Sequence, residues 1–371
     1  MANNFFQERV QEFSRFTSQV DDCLDEIRLT IAKNLGIEDP IRVLPYRGYG
    51  TPEKLLVKGR VLKDEGIKLR EQESSTLNNV WNMFKRFATD EVENARLHIR
   101  FDTTNTETSS NTEGFFQVEI CPETRDHDWG LWCPVDVSLI EPQASENSVI
   151  EKAEVLIVPD HASFGVISDI DDTIVHTAAT DLLKMIRIVY MGNAESRKPF
   201  EDVAEFYSAL QQGHDNQCCN PIFYVSSSAW NMYDVFARFM ELNDIPKGPI
   251  FLKDYEFSLE SLLSFSHESH KLEQIQPILD RFPNLPFLLI GDSGQKDPEI
   301  YSFLAQQYPE RILGILIRDV VPHDGWRTQK LKAIAEQVRA AGSRFCLFKE
   351  SSEAIQFAAK QGWISSTSQP L

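Results

Sequence analysis

The sequence predicts an α/β protein in which a parallel sheet with helices on both faces follows an N-terminal helix and a β-sandwich-like region. Changes of hydrophobic period along the chain indicate this division. A helical period marks residues 1–38, a two-residue alternation marks 39–160, and short apolar runs separated by helical patterns mark 161–371. Buried strands that alternate with helices are typical of parallel sheets, whereas many short alternating strands are typical of sandwiches.

The first segment carries one apolar stripe at alternating spacings of three and four residues, which predicts a long amphipathic helix. The stripe consists of Phe6, Val10, Phe13, Val20, Leu24, Ile27 and Ile31. It suits either a coiled-coil seam or a helix that packs on its own domain.

The second segment is predicted to form a series of short strands. They span 54–62, 97–101, 116–120, 135–139 and 153–158. A helix is predicted near 77–87, and the Ser/Thr/Asn-rich stretch 103–114 is predicted to be a loop. No catalytic constellation stands out in this segment. We expect it to bind a protein partner of unknown identity.

The third segment alternates apolar runs of strand length with helical patterns. The runs span 164–169, 222–225, 287–291 and 312–317. The helices span 200–210, 232–242, 272–282, 299–307 and 328–341. Because ligands bind at the carboxyl ends of strands in such sheets, the polar residues that follow each run are the candidate functional residues.

Composition excludes some classes of protein. The formal net charge is −19, which disfavours a nucleic-acid partner and strong attraction to acidic lipid. The six cysteines have no zinc-site spacing and suit reduced thiols. We expect no signal peptide and no transmembrane helix, because no basic region precedes an apolar run and no apolar run reaches about 18 residues. The predicted location is the cytoplasm, with peripheral contact at a membrane left open.

Three carboxylates follow the first apolar run within residues 169–172. Asp169 and Asp171 lie two positions apart, so a strict strand would place them on one face. Such crowding at a strand end is unfavourable unless a cation neutralises it. Taken alone, the motif also suits a surface turn or a calcium loop.

Three further features stand at comparable positions. Ser226 follows the second run, Lys271 opens a predicted helix, and a glycine-rich loop holding Asp292 and Asp297 follows the run 287–291. A serine there often caps the next helix, and single lysines are usually solvated. The combination and order of the four features, rather than any one, indicate a catalytic site.

This order resembles the haloacid dehalogenase superfamily of phosphotransferases. The matching residues are Asp169, Asp171 and Thr173 for the first motif, Ser226 for the second, Lys271 for the third, and Asp292 and Asp297 for the fourth. The resemblance covers roughly 164–320 and implies a haloacid-dehalogenase-like fold and Mg²⁺ as cofactor.

The resemblance also implies a role for each residue. Asp169 is the expected nucleophile, which forms an aspartyl phosphate. Asp171 is the expected general acid and base. Its carboxylate also favours a phosphatase, because ion-pumping members of the superfamily carry threonine at that position.

The remaining roles concern the metal and the phosphoryl group. Mg²⁺ is expected on the carboxylates of Asp169 and Asp292 and on the backbone carbonyl of Asp171. Ser226 and Lys271 are expected to bind phosphoryl oxygens. Supporting roles fall to Thr173 and to Asp297, which would hold a metal-bound water or orient Lys271.

Longer strings give a closer resemblance, to the actin-patch-associated phosphatidate phosphatases, as a bacterial-type homologue. The strings are GVISDIDDTI at 165–174, FYVSSSAWN at 223–231, HK at 270–271 and LIGDSGQKDPEIY at 289–301. Ala229 stands where that family often has proline. The resemblance implies that phosphatidate is hydrolysed to diacylglycerol.

The short spacing between the motifs leaves no room for a large cap domain, so the site is predicted to be open to a bulky or interfacial substrate. The apolar segment 181–192 suits either a membrane-touching element or a core helix. Two alternatives to a phosphatidate phosphatase remain. One is a phosphatase for a protein or a soluble phosphoester, and the other is an interaction module with a secondary catalytic role.

Overall fold

A computed structural model describes most of the second and third segments. The described residues are 41–63, 91–123, 129–142, 150–174, 202–215, 220–253, 267–320 and 325–365. Three predicted elements lie outside them: the helix in 1–38, the helix near 77–87 and the apolar segment 181–192.

The second segment forms a seven-stranded sheet. Its strands are β1 (Ile41–Thr51), β2 (Lys54–Lys63), β3 (Arg96–Phe101), β4 (Thr104–Ser109), β5 (Phe115–Ile120), β6 (Trp132–Glu141) and β7 (Ile150–Ile157). Their order is β4-β3-β6-β7-β1-β2-β5. Side chains from both halves of this order form one apolar core, including Leu55, Leu97, Ile99, Phe116 and Val135.

The structure refines one expectation about this segment and corrects another. The β-sandwich-like region is one hydrogen-bonded sheet whose two halves pack on a shared core, because β1 pairs in parallel with β7 through residues 48–50 and 155–157 and joins the halves. This pairing joins residues about a hundred positions apart, which local periodicity cannot reveal. The predicted loop 103–114 contains strand β4, which is polar throughout and half exposed, so it has no apolar signal.

The third segment forms a six-stranded sheet in which every pairing is parallel. Its strands are β8 (Gly165–Asp169), β9 (Ile222–Ala229), β10 (Ile250–Lys253), β11 (Phe287–Asp292), β12 (Ile312–Arg318) and β13 (Arg344–Phe348). The helices are α1 (Val203–Gln212), α2 (Tyr233–Leu242), α3 (His267–Arg281), α4 (Asp297–Gln307), α5 (Gly325–Ala340) and α6 (Ser351–Lys360). The strand order is β10-β9-β8-β11-β12-β13.

Helices cover both faces of the parallel sheet, as the sequence predicted. Successive strand residues point to opposite faces. Val166 packs in the same core as Phe206 of α1 and Phe236 of α2. Its neighbour Ile167 packs in the other core with Ile275 of α3 and Leu304 of α4. Each predicted run and helix of this segment has a counterpart, whereas β10, β13 and α6 have none among the predictions.

The two sheets are joined through their cores. Tyr46 of β1 belongs to one core of the parallel sheet, and Tyr49 of β1 with Leu56 of β2 belongs to the other. The backbone N–H of Arg47 also donates to the hydroxyl of Tyr233 at 2.7 Å. The expected division of the chain at 160 therefore separates two sheets that share apolar packing, and the domain boundaries stay a prediction.

Two other predictions bear on the described residues. Within those residues, no helix is both long enough and apolar enough to span a membrane. Cys121, Cys133 and Cys346 are free thiols.

Candidate active site

The topology brings the candidate motifs to one place. Strand β8 lies between β9 and β11, and all three run in the same direction. Their carboxyl ends therefore meet at one edge of the sheet. β8 ends at Asp169, β11 ends at Asp292, and Ser226 lies near the end of β9.

Lys271 connects the first and fourth motifs. Its ammonium nitrogen lies 2.7 Å from Oδ1 of Asp169 and also pairs with Asp297. All three side chains are buried. Helix α3 carries the lysine and is fixed against the sheet by residues such as Ile275 and Ile278. The sequence-predicted third motif thus lies beside the predicted nucleophile.

The charged groups in this cluster change one another's pKa values. Burial lowers the pKa of Lys271, but the carboxylates of Asp169 and Asp297 outweigh burial and raise it overall. Burial raises the pKa of Asp169 well above its ordinary value, and Lys271 opposes that rise. The lysine therefore stays charged and favours the ionised form that a carboxylate nucleophile requires.

Asp171 is held by two serines from the end of β9. The Ser226 hydroxyl donates to Oδ2 of Asp171 at 2.5 Å, and the Ser228 hydroxyl donates to the same oxygen at 3.2 Å. The backbone N–H of Ser228 in turn donates to the Ser226 hydroxyl at 2.9 Å. Ser226, expected to bind phosphate, orients the expected general acid in this structure. Ser228 had no assigned role, and its position in a serine run was the only signal.

Burial raises the pKa of Asp171, while the hydrogen bonds from Ser226 and Ser228 and the charge of Lys271 lower it. The raised pKa increases the protonated fraction of the carboxyl group near neutral pH. A protonated carboxyl group can donate a proton to a leaving oxygen.

The fourth motif forms a tight loop around two carboxylates. Oδ1 of Asp292 accepts from the backbone N–H groups of Gly294 at 2.5 Å and Gln295 at 2.9 Å. Oδ2 of Asp297 accepts from the Asp292 N–H at 3.1 Å. A Cβ atom on Gly291 would lie 2.4 Å from that oxygen of Asp297. The glycine is therefore required by the close approach of Asp297, which Lys271 also holds.

The site offers donors for a hard cation. Asp169, Asp292 and Asp297 each present one carboxylate oxygen, and these oxygens lie within 4.8 Å of one another. Oδ2 of Asp292 is buried and has no hydrogen-bond partner. Oxygen ligands of this kind suit Mg²⁺, so the residues present fit the expected ion. The backbone carbonyl of Asp171, another expected ligand, accepts from Nε2 of Gln295 at 3.3 Å.

The remaining contacts fix the first loop. The Thr173 hydroxyl donates to Oδ2 of Asp169 at 3.3 Å. The buried Arg318 donates from Nε to the Thr173 carbonyl at 3.0 Å and from a terminal nitrogen to the Ser351 hydroxyl at 2.9 Å. Sequence reasoning missed Arg318, although an arginine that ends a fully apolar strand is a signal for a buried polar role.

A cleft of about 770 Å³ opens from these loops to solvent. Its lining includes Asp171, Ser228, Gln295, Trp326 and Lys330. The Trp326 side chain is 68% exposed at the start of α5. The Lys330 ammonium lies 5.3 Å from the centre of the Trp326 ring and pairs with Glu299 of α4. The expected general acid thus faces an open cleft.

The fold and the site together define a class: a parallel α/β protein with a lysine-bridged carboxylate cluster, able to hold a metal ion, at the carboxyl ends of its central strands. Residues 164–319 match the family model described as phosphatidate phosphatase APP1, catalytic domain. The closer resemblance drawn from the sequence strings is therefore confirmed for this segment.

Two relatives share this similarity. The phosphatidate phosphatase APP1 of Saccharomyces cerevisiae is 38% identical over 168 residues, which cover 43% of this chain and 28% of that protein. The uncharacterized protein C29B5.04c of Schizosaccharomyces pombe is 27% identical over 254 residues, which cover 66% of this chain and 39% of that protein. The matched part of the chain thus corresponds to less than half of either relative.

Similarity to solved structures is slight. A carbohydrate acetylesterase from Xanthomonas citri aligns with 79% of this chain and 72% of its own, with a TM-score of 0.25 and 11% identity. A protein from Porphyromonas gingivalis aligns with 36% of this chain and 60% of its own, with a TM-score of 0.17 and 9% identity. These values carry no argument about the fold or the function.

Proposed function

We propose that the chain is a Mg²⁺-dependent phosphatidate phosphatase that releases phosphate and diacylglycerol through an aspartyl phosphate on Asp169. The observation that carries the proposal is the buried ion pair between Asp169 and Lys271, 2.7 Å apart, within the segment that matches the phosphatidate phosphatase family. Both side chains come from the predicted motifs.

In the first step, Oδ1 or Oδ2 of Asp169 attacks phosphorus and the ester P–O bond breaks. Asp171 gives its proton to the departing diacylglycerol oxygen. In the second step, Asp171 removes a proton from water, the water oxygen attacks phosphorus, and the bond to Asp169 breaks. Ser226 and Ser228 keep the Asp171 carboxyl group in one orientation through both steps.

Asp169 and Asp292 would hold Mg²⁺, with Asp297 as a third carboxylate beside them. The ion supplies positive charge that lets the anionic nucleophile meet an anionic phosphoryl group and that stabilises the transferring group. Lys271 adds a fixed positive charge next to Asp169 and neutralises Asp297. We assign phosphoryl-oxygen binding to Lys271; the predicted role of Ser226 in this binding is not kept, because its single O–H proton is donated to Asp171.

The lipid substrate is favoured by the cleft as well as by the relative. The yeast protein similar to this chain is named a phosphatidate phosphatase. The cleft is open, and Trp326 stands exposed at its wall beside Lys330. Tryptophan and lysine suit the boundary between apolar chains and charged head groups. We propose a cytoplasmic protein that meets its substrate by peripheral contact with a membrane.

The test is phosphate release from phosphatidate in mixed micelles, with Mg²⁺ and with EDTA, beside p-nitrophenyl phosphate and a panel of soluble phosphoesters and phosphopeptides. We expect Mg²⁺-dependent release from the lipid by the wild type and none by Asp169→Asn. Asp280→Asn, an exposed acid on α3, is the matched control and should retain activity.

Release from soluble esters alone would contradict the lipid substrate and favour a phosphatase for a protein or small phosphoester. Full activity of Asp169→Asn would contradict the nucleophile. No release from any ester would favour the interaction-module alternative.

A further inference from the structure

One cation of the seven-stranded sheet lies against the residue that follows β9 of the parallel sheet. Arg60 of β2 is only 2% exposed. Its guanidinium carbon lies 3.5 Å from the centre of the Trp230 ring and 4.2 Å from the centre of the Phe115 ring. Trp230 belongs to the parallel-sheet segment, whereas Phe115 belongs to β5. The arginine therefore binds one aromatic ring from each sheet.

Hydrogen bonds hold the guanidinium group in this place. Nε of Arg60 donates to the Glu113 carbonyl at 2.7 Å, and a terminal nitrogen donates to Glu91 at 2.9 Å. The rings of Phe115 and Trp230 meet edge to face, with centroids 6.2 Å apart and planes at 87°. A planar cation fixed at its edge and stacked on a ring restricts that ring strongly. The position of Trp230 is thus set by the seven-stranded sheet.

Trp230 is linked directly to the site. It begins a short 3₁₀ helix, Trp230–Met232, immediately after β9. Ser226 and Ser228, which orient Asp171, lie four and two positions before it. A displacement of the Trp230 ring would move this segment and, with it, the hydrogen bonds to Asp171.

A second contact supports the same side of the site. The Lys58 ammonium lies 3.9 Å from the centre of the Phe251 ring on β10. Lys58 and Arg60 are two positions apart on β2 and so share a face of the strand. Lys253 of β10 pairs in register with Ala229 of β9. One face of β2 therefore contacts Phe251 of β10 through Lys58 and Trp230, the residue that follows β9, through Arg60.

We propose that Arg60 is a positioning residue for catalysis: through Trp230 it fixes the serines that orient Asp171, which makes the seven-stranded sheet part of the catalytic machinery. This inference rests on the proposed function. It gives the seven-stranded sheet a role in positioning the catalytic residues of its own chain, in addition to any binding of a partner.

The readout must separate orientation of the acid from general stability. An alkyl phosphate such as phosphatidate has a poor leaving group and depends on proton donation, whereas p-nitrophenolate leaves with little help. The value of kcat/KM covers the steps up to departure of the leaving group. The ratio of kcat/KM for the alkyl ester to kcat/KM for the aryl ester therefore measures how well Asp171 donates its proton to the leaving oxygen. Loss of the Arg60 contact should lower this ratio.

The experiment is a double-mutant cycle with Arg60→Met and Trp230→Leu in the full chain. We expect each single variant to lower the alkyl-to-aryl ratio on the order of tenfold, since small misplacements of catalytic groups have effects of this size or larger. The double variant should be no worse than either single variant, because the two residues act as one unit. Arg60→Lys keeps the charge but loses the planar stack, so it should restore folding and only part of the ratio.

Arg47→Met is the matched control. Arg47 of β1 is also a buried arginine between the sheets, with Glu154 at 3.6 Å and Glu241 at 3.5 Å. This variant should lower the melting temperature and leave the ratio unchanged. If Arg60→Met and Arg60→Lys, both folded, lower the melting temperature as Arg47→Met does but keep the wild-type ratio, the inference is wrong. A wild type inactive on every ester would overturn the proposed function and the inference together.

Discussion

The ammonium of Lys271 lies 2.7 Å from Oδ1 of Asp169, and both side chains are buried. The lysine also pairs with Asp297, so one cation joins the carboxylate at the end of β8 to the carboxylate at the start of α4. Replacing any one of the three side chains would therefore leave the charges of the other two unbalanced, and the first prediction tests this for the lysine.

Replacing Lys271 with methionine removes the charge and keeps the length of the side chain. We expect kcat/KM for phosphatidate to fall by about 10² to 10³, the usual effect of removing one stabilising donor from a transition state. Without Mg²⁺ the variant should also unfold at a lower temperature, because the buried carboxylates lose their partner. Lys360→Met, an exposed lysine on α6, should match the wild type in both assays. Wild-type turnover by Lys271→Met would contradict the role given to the lysine.

Gly291→Ala tests the close approach of Asp297. The added methyl carbon would lie 2.4 Å from Oδ2 of Asp297, so the loop must shift. Overpacking of this kind costs about 1–3 kcal/mol, and we expect a lower free energy of unfolding together with lower activity. In an Asp297→Gly background the same change should cost much less, because every Asp297 side-chain atom that the methyl carbon would meet, including the Cβ at 2.7 Å, is gone. Equal costs in the two backgrounds, measured by urea denaturation, would mean that the clash does not determine the effect.

The raised pKa of the Asp292 carboxyl group determines how we expect stability to depend on pH and on Mg²⁺. Burial, followed by the charge of Asp297, raises its pKa from 3.8 to about 7. Between these two pH values the folded chain holds a proton that the unfolded chain has lost. The contribution of the Asp292 carboxyl group to stability is therefore fully present below a pH of about 4 and is lost as the pH rises through about 7. In EDTA, the melting temperature should therefore fall over this range by more in the wild type than in Asp292→Asn.

Mg²⁺ should reverse this dependence, because the cation binds the ionised carboxylates and favours the folded chain. Addition of Mg²⁺ at pH 7.5 should raise the melting temperature of the wild type and leave Asp292→Asn nearly unchanged. An equal rise in both proteins would show that the ion binds elsewhere.

Trp326 predicts a difference between lipid and soluble substrates. Its side chain is 68% exposed at the cleft wall, where contact with a micelle or vesicle would bury its ring. We expect Trp326→Ala to lower kcat/KM for phosphatidate in mixed micelles on the order of tenfold, by raising KM more than it lowers kcat. Phe303→Ala is the control, since Phe303 is 45% exposed on α4 but lies outside the cleft lining. An identical result for the two variants would contradict the role of Trp326 at the lipid surface.

Much of the site was predictable because its residues follow apolar strands in the sequence. Asp169, Ser226 and Asp292 each lie at or near the end of such a run, and the buried runs become adjacent parallel strands. Parallel topology then places their carboxyl ends together whatever the details of packing. The parallel sheet and its two layers of helices were predictable for the same reason, since the hydrophobic period of each strand or helix is set by residues that are neighbours in the sequence.

Other features depend on contacts between residues far apart in the sequence. No local pattern reveals that β1 pairs with β7, that the polar β4 forms an edge strand, or that Arg318 reaches the carbonyl of Thr173. The contact between Arg60 and Trp230 joins positions 170 residues apart and becomes visible only when the two sheets meet.

By itself, the sequence determined the chemistry available at this site: which carboxylates, serines and lysine stand at strand ends, because residue type and period are local properties. Only the tertiary structure decided how those groups are paired, because pairing depends on packing between distant segments. It placed Lys271 between Asp169 and Asp297, turned Ser226 toward Asp171, and set an arginine of the other sheet against Trp230, just after the strand that carries Ser226.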